Sequence, residues 1–76
     1  MLVTVKLFAY LREGRFRVSP MELDDNCTVQ EIMEKLTISR KEMEIGIIMI
    51  NGKRASFDSQ LMDGDTLAIF PPLAGG

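Results

Sequence analysis

The residues best suited to chemistry close the chain, as Phe70-Pro71-Pro72-Leu73-Ala74-Gly75-Gly76. At an average glycine usage near 7%, two terminal glycines arise by chance in only ~0.5% of chains. An ordinary frayed end explains glycines, since termini are commonly disordered. It gives no reason for a rigid diproline before them. Pro71-Pro72 cannot extend a strand and favours stiff polyproline II. The segment therefore reads as a stalk followed by a thin wire that carries a carboxylate. From Phe70 such a tail reaches ~20 Å. Gly75 and Gly76 have no Cβ and can thread a narrow channel in any backbone conformation. With a pKa of ~3.5, the terminal carboxylate is ionised at neutral pH and is a poor electrophile. As an acyl donor it needs activation, for which a mixed anhydride with AMP is the natural form. The chain has no glycine-rich phosphate loop, so activation is expected in trans.

Other chemistry is scarce. There is no histidine, hence neither the usual general base nor the commonest metal ligand. The single cysteine, Cys27, cannot build a thiolate zinc site or hold an iron–sulfur cluster alone. It could carry a persulfide, but it precedes Thr28, a helix cap, where a small hydrophobe would staple to Ile32. A structural role is expected. Asp24-Asp25 and Asp63/Asp65 lack the ligand count of a calcium loop and read as turn residues. The six methionines mostly fall at core-compatible positions. No cofactor or metal is expected on the chain itself.

A chain of 76 residues is one domain with one modest core. Apolar residues at 46% and charged residues at 26% are ordinary for a globular fold. Its 9 basic and 11 acidic side chains are interspersed, with no basic run to bind nucleic acid. No apolar stretch is long enough to span a bilayer. Met1 leads straight into a β-branched segment with no leader pattern, so a cytoplasmic location is the expectation.

The elements that must position the tail follow from periodicity. Leu2–Tyr10 reads as a strand, with Val3, Val5 and Leu7 on one face and Thr4, Lys6, Phe8 and Tyr10 on the other. Residues 11–14 read as a turn. Arg15–Leu23 reads as a second strand with Phe16 and Val18 on one face, placed at an edge by Pro20. Thr28 and Glu31 form a capping box, followed by the apolar stripe Val29, Ile32, Met33 and Leu36. Glu31 and Lys35 are spaced for an ion pair. Ser39 and Glu42 form a second box over a short helical turn, with Ile38 and Met43 at staple positions. Ile47–Ile50 is a continuous apolar run, expected to be buried on both faces or covered by a partner. Asn51-Gly52 predicts a tight hairpin with Lys53–Ser56. Asp63-Gly64-Asp65 reads as a turn and Thr66–Phe70 as the last strand. The order strand, strand, helix, then three strands suits an α+β roll with one helix across one sheet face. Residues 1–70 are expected to form the domain and 71–76 a flexible tail.

The stretch Ala55-Ser56-Phe57, then Leu61, Asp63-Gly64-Asp65 and Phe70 to Gly76, resembles the small subunit of molybdopterin synthase. The opening Val5-Lys6-Leu7-Phe8-Ala9-Tyr10-Leu11-Arg12-Glu13 is similar to that family's first strand and following turn. The resemblance covers essentially the whole chain, most specifically at its two ends. It implies a ubiquitin-like β-grasp roll with the first and last strands parallel and adjacent. It also implies that Gly76 is adenylated and thiocarboxylated by a partner and then delivers sulfur to a pterin precursor, with Gly75 supplying clearance. The implied partners are the large synthase subunit, an adenylating enzyme of the ubiquitin-activating type that consumes ATP, and a sulfurtransferase or cysteine desulfurase. Lys53-Arg54 departs from the family, which often places an apolar contact residue there. The related thiazole-synthesis carriers also end in Gly-Gly but usually lack Phe-Pro-Pro, and tRNA-thiolation carriers share the chemistry.

Strand parity adds a docking expectation. Phe8 lies opposite Val5 and Leu7, and Phe70 opposite Leu67 and Ile69. Both rings should stand on the face away from the helix, as one aromatic patch if the end strands are neighbours. Phe8, Phe70, Pro71, Pro72 and Leu73 are the expected partner-binding residues. Two other classes compete: a β-grasp binding module with an inert tail, and a ubiquitin-like modifier that forms isopeptide bonds.

Overall fold

The computed structural model describes residues 1–72. Strand β1 (Leu2–Leu7) buries Val3, Val5 and Leu7 completely and turns Thr4 and Lys6 to the other face. It ends before the expected Tyr10. Phe8 is still extended, but Ala9 takes a positive φ of 53° and the chain closes into a 3₁₀ helix over Ala9–Arg12. That helix buries Leu11, a core residue that sequence reading left in a turn. The guanidinium of Arg15 then ties this segment to the end of the α-helix. It donates to the carbonyls of Leu36 (2.8 Å), Thr37 (3.0 Å) and Leu11 (3.1 Å).

Strand β2 (Val18–Glu22) runs antiparallel to β1 and starts later than the expected Arg15. Val18 is exposed opposite Lys6, whereas Phe16 packs against the core, so the two do not share a face as parity suggested. Residues 15–17 lie outside the ladder, where period-two alternation does not hold. Pro20 sits in this edge strand, where its missing N–H leaves no inner ladder bond unmade.

Helix α1 (Val29–Lys35) is capped by Thr28, whose hydroxyl oxygen accepts from the Glu31 amide at 3.3 Å. The reciprocal half of this box is not made. The Thr28 hydroxyl instead donates to the Glu31 carboxylate at 3.5 Å. Nor do Glu31 and Lys35 pair: among the described residues the ion pair present joins the Met1 amino group to Glu22 at 3.8 Å. Little is lost, because exposed pairs contribute little to stability. The second box is complete, with the Ser39 amide on Glu42 at 3.0 Å and the Glu42 amide on Ser39 at 3.1 Å. It opens a series of turns rather than a regular helix and buries Ile38 and Met43, the two staple positions.

Strands β3 (Ile47–Ile50) and β4 (Lys53–Arg54) form the hairpin, turned by Asn51 at φ 52° and Gly52 at φ 80°. The return strand is shorter than the expected Lys53–Ser56. Strand β5 (Thr66–Phe70) pairs parallel with β1 and antiparallel with β3, giving the order β2-β1-β5-β3-β4. One sheet face packs Val3, Val5, Leu7, Ile48, Leu67 and Ile69 with Val29, Ile32 and Met33 of α1 into a single core. The arrangement is the ubiquitin-like β-grasp roll. Its other face is open: Ile47 is 40% exposed, so the apolar run of β3 is not buried on both sides.

Candidate functional site

The open face is organised by β5, the middle strand of the sheet. Leu67 and Ile69 are buried beneath it, so alternation turns Ala68 and Phe70 outward. The parallel pairing continues one step beyond β1, because the Phe8 amide donates to the Ile69 carbonyl at 3.3 Å. This brings Phe8 beside Phe70, and the rings stack with centroids 4.1 Å apart at 15°. Across the strand on the other side, Phe70 is paired with Ile47.

Phe8, Ala9, Ile45, Ile47, Phe70, Pro71 and Pro72 line an almost wholly apolar groove of about 370 Å³. Four of the expected partner-binding residues, Phe8, Phe70, Pro71 and Pro72, therefore meet in one place. Pro71 is buried and Pro72 half-buried, so the diproline is seated against the body. Leu73, Gly75 and Gly76 lie outside the described residues.

Sequence reading did not single out the other wall. Ile45 is 82% exposed and joins Ile47, Phe70 and Phe8 in one contiguous apolar surface. The signal was the uninterrupted apolar run beginning at Ile47, with Ile45 two residues earlier. Gly46, between them, gave no signal. A β-carbon there would stand 2.7 Å from the Phe70 carbonyl oxygen and 2.5 Å from Met43 Cε. The absent side chain is what lets this segment close on the root of the tail. Arg12 was also missed: its Nε donates to the Leu7 carbonyl at 2.8 Å and its guanidinium stands 5.4 Å from the Phe8 ring centroid.

The remaining candidates have structural explanations. Cys27 is buried in the core, its thiol directed to the Thr28 carbonyl at 3.6 Å. Burial pushes the thiol pKa above its ordinary value, and the Glu31 carboxylate adds to the effect. A protonated thiol is a weak nucleophile. Asp63 accepts from the Leu2 amide at 2.7 Å, and Asp65 accepts from the Met62 amide and the Asn51 side chain, both at 2.8 Å. These carboxylates close turns, and no cluster suited to a metal occurs among the described residues. Met33 and Met43 fill the core, whereas Met62 is exposed. Arg54 is exposed on β4. No helix among the described residues is long and apolar enough to cross a membrane.

A β-grasp sheet whose middle strand runs into an apolar groove, with Gly-Gly beyond it in sequence, defines a ubiquitin-like carrier class. Residues 5–76 match the ThiS family, and the chain belongs to that family, within the ubiquitin-like sulfur-carrier superfamily. Among curated proteins, none is significantly similar in sequence. The fold is similar to SAMP1 from Haloferax volcanii, with TM-score 0.75, 28% identity and full coverage of both chains (100% and 100%). It is also similar to a putative molybdopterin converting factor subunit 1 from Pyrococcus furiosus, with TM-score 0.72 and 26% identity over 96% of this chain and 99% of that one. A third structure, the complex of subunits 1 and 2 of molybdopterin-converting factor from Helicobacter pylori, shares the fold at TM-score 0.64 and 22% identity, with 100% of each chain covered.

Proposed function

We propose that this sulfur carrier serves molybdopterin formation, with Gly76 as the atom-bearing end. The observation that carries the reading is the seat of Phe70-Pro71-Pro72 in the groove, at the root of a tail that ends in Gly75-Gly76. Thiazole-type carriers usually lack that element, which favours the molybdopterin reading, and the relative from Pyrococcus furiosus bears a molybdopterin name.

The chemistry is supplied in trans. The Gly76 carboxylate attacks the α-phosphorus of ATP on an adenylating enzyme and expels pyrophosphate. A persulfide sulfur from a sulfurtransferase or cysteine desulfurase displaces AMP, and a thiol reductant cleaves the resulting acyl disulfide. The thiocarboxylate so formed gives its sulfur to the pterin precursor and returns as a carboxylate. The large synthase subunit docks on the groove, as subunit 2 accompanies subunit 1 in the complex from Helicobacter pylori. This chain contributes the docking face, the stalk and the clearance at Gly75.

Deletion of the gene tests the pathway. Loss of molybdenum- or tungsten-dependent enzyme activity, restored by the wild-type chain and not by one lacking Gly75-Gly76, supports it. Thiamine auxotrophy or loss of tRNA thiolation instead would move the carrier to another pathway. A second reading, attachment of Gly76 to lysines of other proteins, is favoured by one similar structure being named small archaeal modifier protein 1. Covalent conjugates in cell extracts would identify it.

A further inference from the structure

Beside the apolar groove, Lys6, Arg12 and Arg17 surround a second cavity of about 180 Å³, together with Phe8 and Val18. Lys6 reaches the open face because it alternates with the buried Val5 and Leu7, and Val18 is its cross-strand partner. Arg17 directly precedes Val18, and its carbonyl accepts from the Leu7 amide at 3.0 Å. Arg12 closes the other side, positioned by the Leu7 carbonyl and the Phe8 ring. Three cations converge here in a chain of net charge −2. None of them is in an ion pair among the described residues. Like charges gathered without a counter-charge repel one another, so folding alone does not explain the cluster. An ordinary solvated face would intersperse the two signs. Phe8 lines both cavities, which makes the charged pocket and the apolar groove one surface.

We infer that this pocket receives a side-chain carboxylate from a partner segment in which an acidic residue neighbours a large apolar one. The apolar residue enters the groove beside Phe70. The inference rests on the docking part of the proposed function and adds the partner's chemistry to it. Charge complementarity selects an acidic occupant, and it fixes register on an apolar surface that by itself sets none. At about 180 Å³ the pocket suits a single side-chain carboxylate, being smaller than the ~300–1,000 Å³ of pockets that enclose drug-sized ligands.

The test is a nitrogen-15 NMR titration of the full chain with the acetylated, amidated peptide Glu-Glu-Leu-Phe, beside its Gln-Gln-Leu-Phe counterpart. Saturable shifts at the amides of Lys6, Phe8, Arg12, Arg17 and Val18, at least tenfold weaker with the glutamine peptide, are expected. The Lys6→Glu/Arg17→Glu variant should lose them with a melting temperature no lower than wild type, since the repulsion is relieved, and Lys6→Gln/Arg17→Gln provides a milder pair should the first fail to fold. Equal binding of both peptides, no saturable shift, or shifts confined elsewhere would overturn the inference. So would a pocket already filled by the chain's own carboxylate, revealed if deleting residues 73–76 alone reproduces the shifts. Because the probe is a peptide, failure here leaves sulfur carriage untouched, and failure of sulfur carriage leaves this result standing.

Discussion

Phe8 and Phe70 stack at 4.1 Å although they come from opposite ends of the chain and only Phe70 lies within a strand. The contact exists because the Phe8 amide keeps the β1–β5 register for one further residue, on the Ile69 carbonyl. Both residues are half-buried where they line the groove.

Phe8→Ala and Phe70→Ala should therefore each weaken partner association more than folding. Each should cost less stability than the ~3–5 kcal/mol typical of a buried phenylalanine, and ~2 kcal/mol or more of binding. The double variant should show a coupling of ~0.5–1.5 kcal/mol, the worth of an aromatic pair. Calorimetric titration against the large synthase subunit, with denaturant melts, measures both quantities. Normal binding by both variants, or melts like those of core variants, would contradict the docking role.

Gly46→Ala should destabilise the chain by ~1–3 kcal/mol through overpacking and should perturb the Phe70 amide and ring resonances. The end of the Met43 side chain can move aside, whereas the Phe70 carbonyl belongs to the β3–β5 ladder. Adding Met43→Ala should therefore not rescue the variant. Full rescue in a double-variant melt would place the clash on Met43 instead.

Cys27→Ser should retain sulfur delivery in a reconstituted system, at a stability cost of ~1 kcal/mol. The raised thiol pKa has a second consequence. Below the ordinary thiol value of ~8.5 the buried, protonated form is fully favoured. As pH rises above that value the unfolded chain loses its proton first, so stability falls until the folded thiol also ionises. Urea midpoints across pH 7 to about 10 should show this decline in the wild type and a smaller one in Cys27→Ser. Complete loss of sulfur transfer in a folded variant would mean that the sulfur sits on the wrong atom in this account.

Much of this was legible in the chain, and the failures have a common origin. The edge position of Pro20, the Thr28 cap, the Asn51-Gly52 turn and the bounds of β3 and β5 rest on local stereochemistry, which sequence states directly. The parity of Phe8 and Phe70 was readable for the same reason. The end of β1, the burial of Leu11 and the late start of β2 were not, because Arg15 fixes that corner through carbonyls of residues distant in sequence. Gly46 and Ile45 escaped notice because their role depends on where Phe70 arrives across the sheet. The basic pocket escaped because Lys6, Arg12 and Arg17 are scattered along the chain and meet only when β1 and β2 pair.

Removing Gly75 and Gly76 should abolish sulfur transfer while leaving the melting temperature within about a degree of wild type, since these residues have no side chains to contribute to the core. A tag fused after Gly76 should inactivate the chain until it is cleaved away. Transfer by the truncated chain, or unfolding several degrees earlier, would contradict the division between body and tail.

The central claim is that Gly76 carries sulfur, and the intact mass of the protein isolated from its native cells tests it most directly. A fraction heavier by about 16 Da, one sulfur in place of one oxygen, is expected. Fragmentation should localise the increment to Gly76, and the fraction should vanish in cells lacking the activating enzyme. A single unmodified species under conditions of active cofactor synthesis, or an increment localised to Cys27, would contradict it.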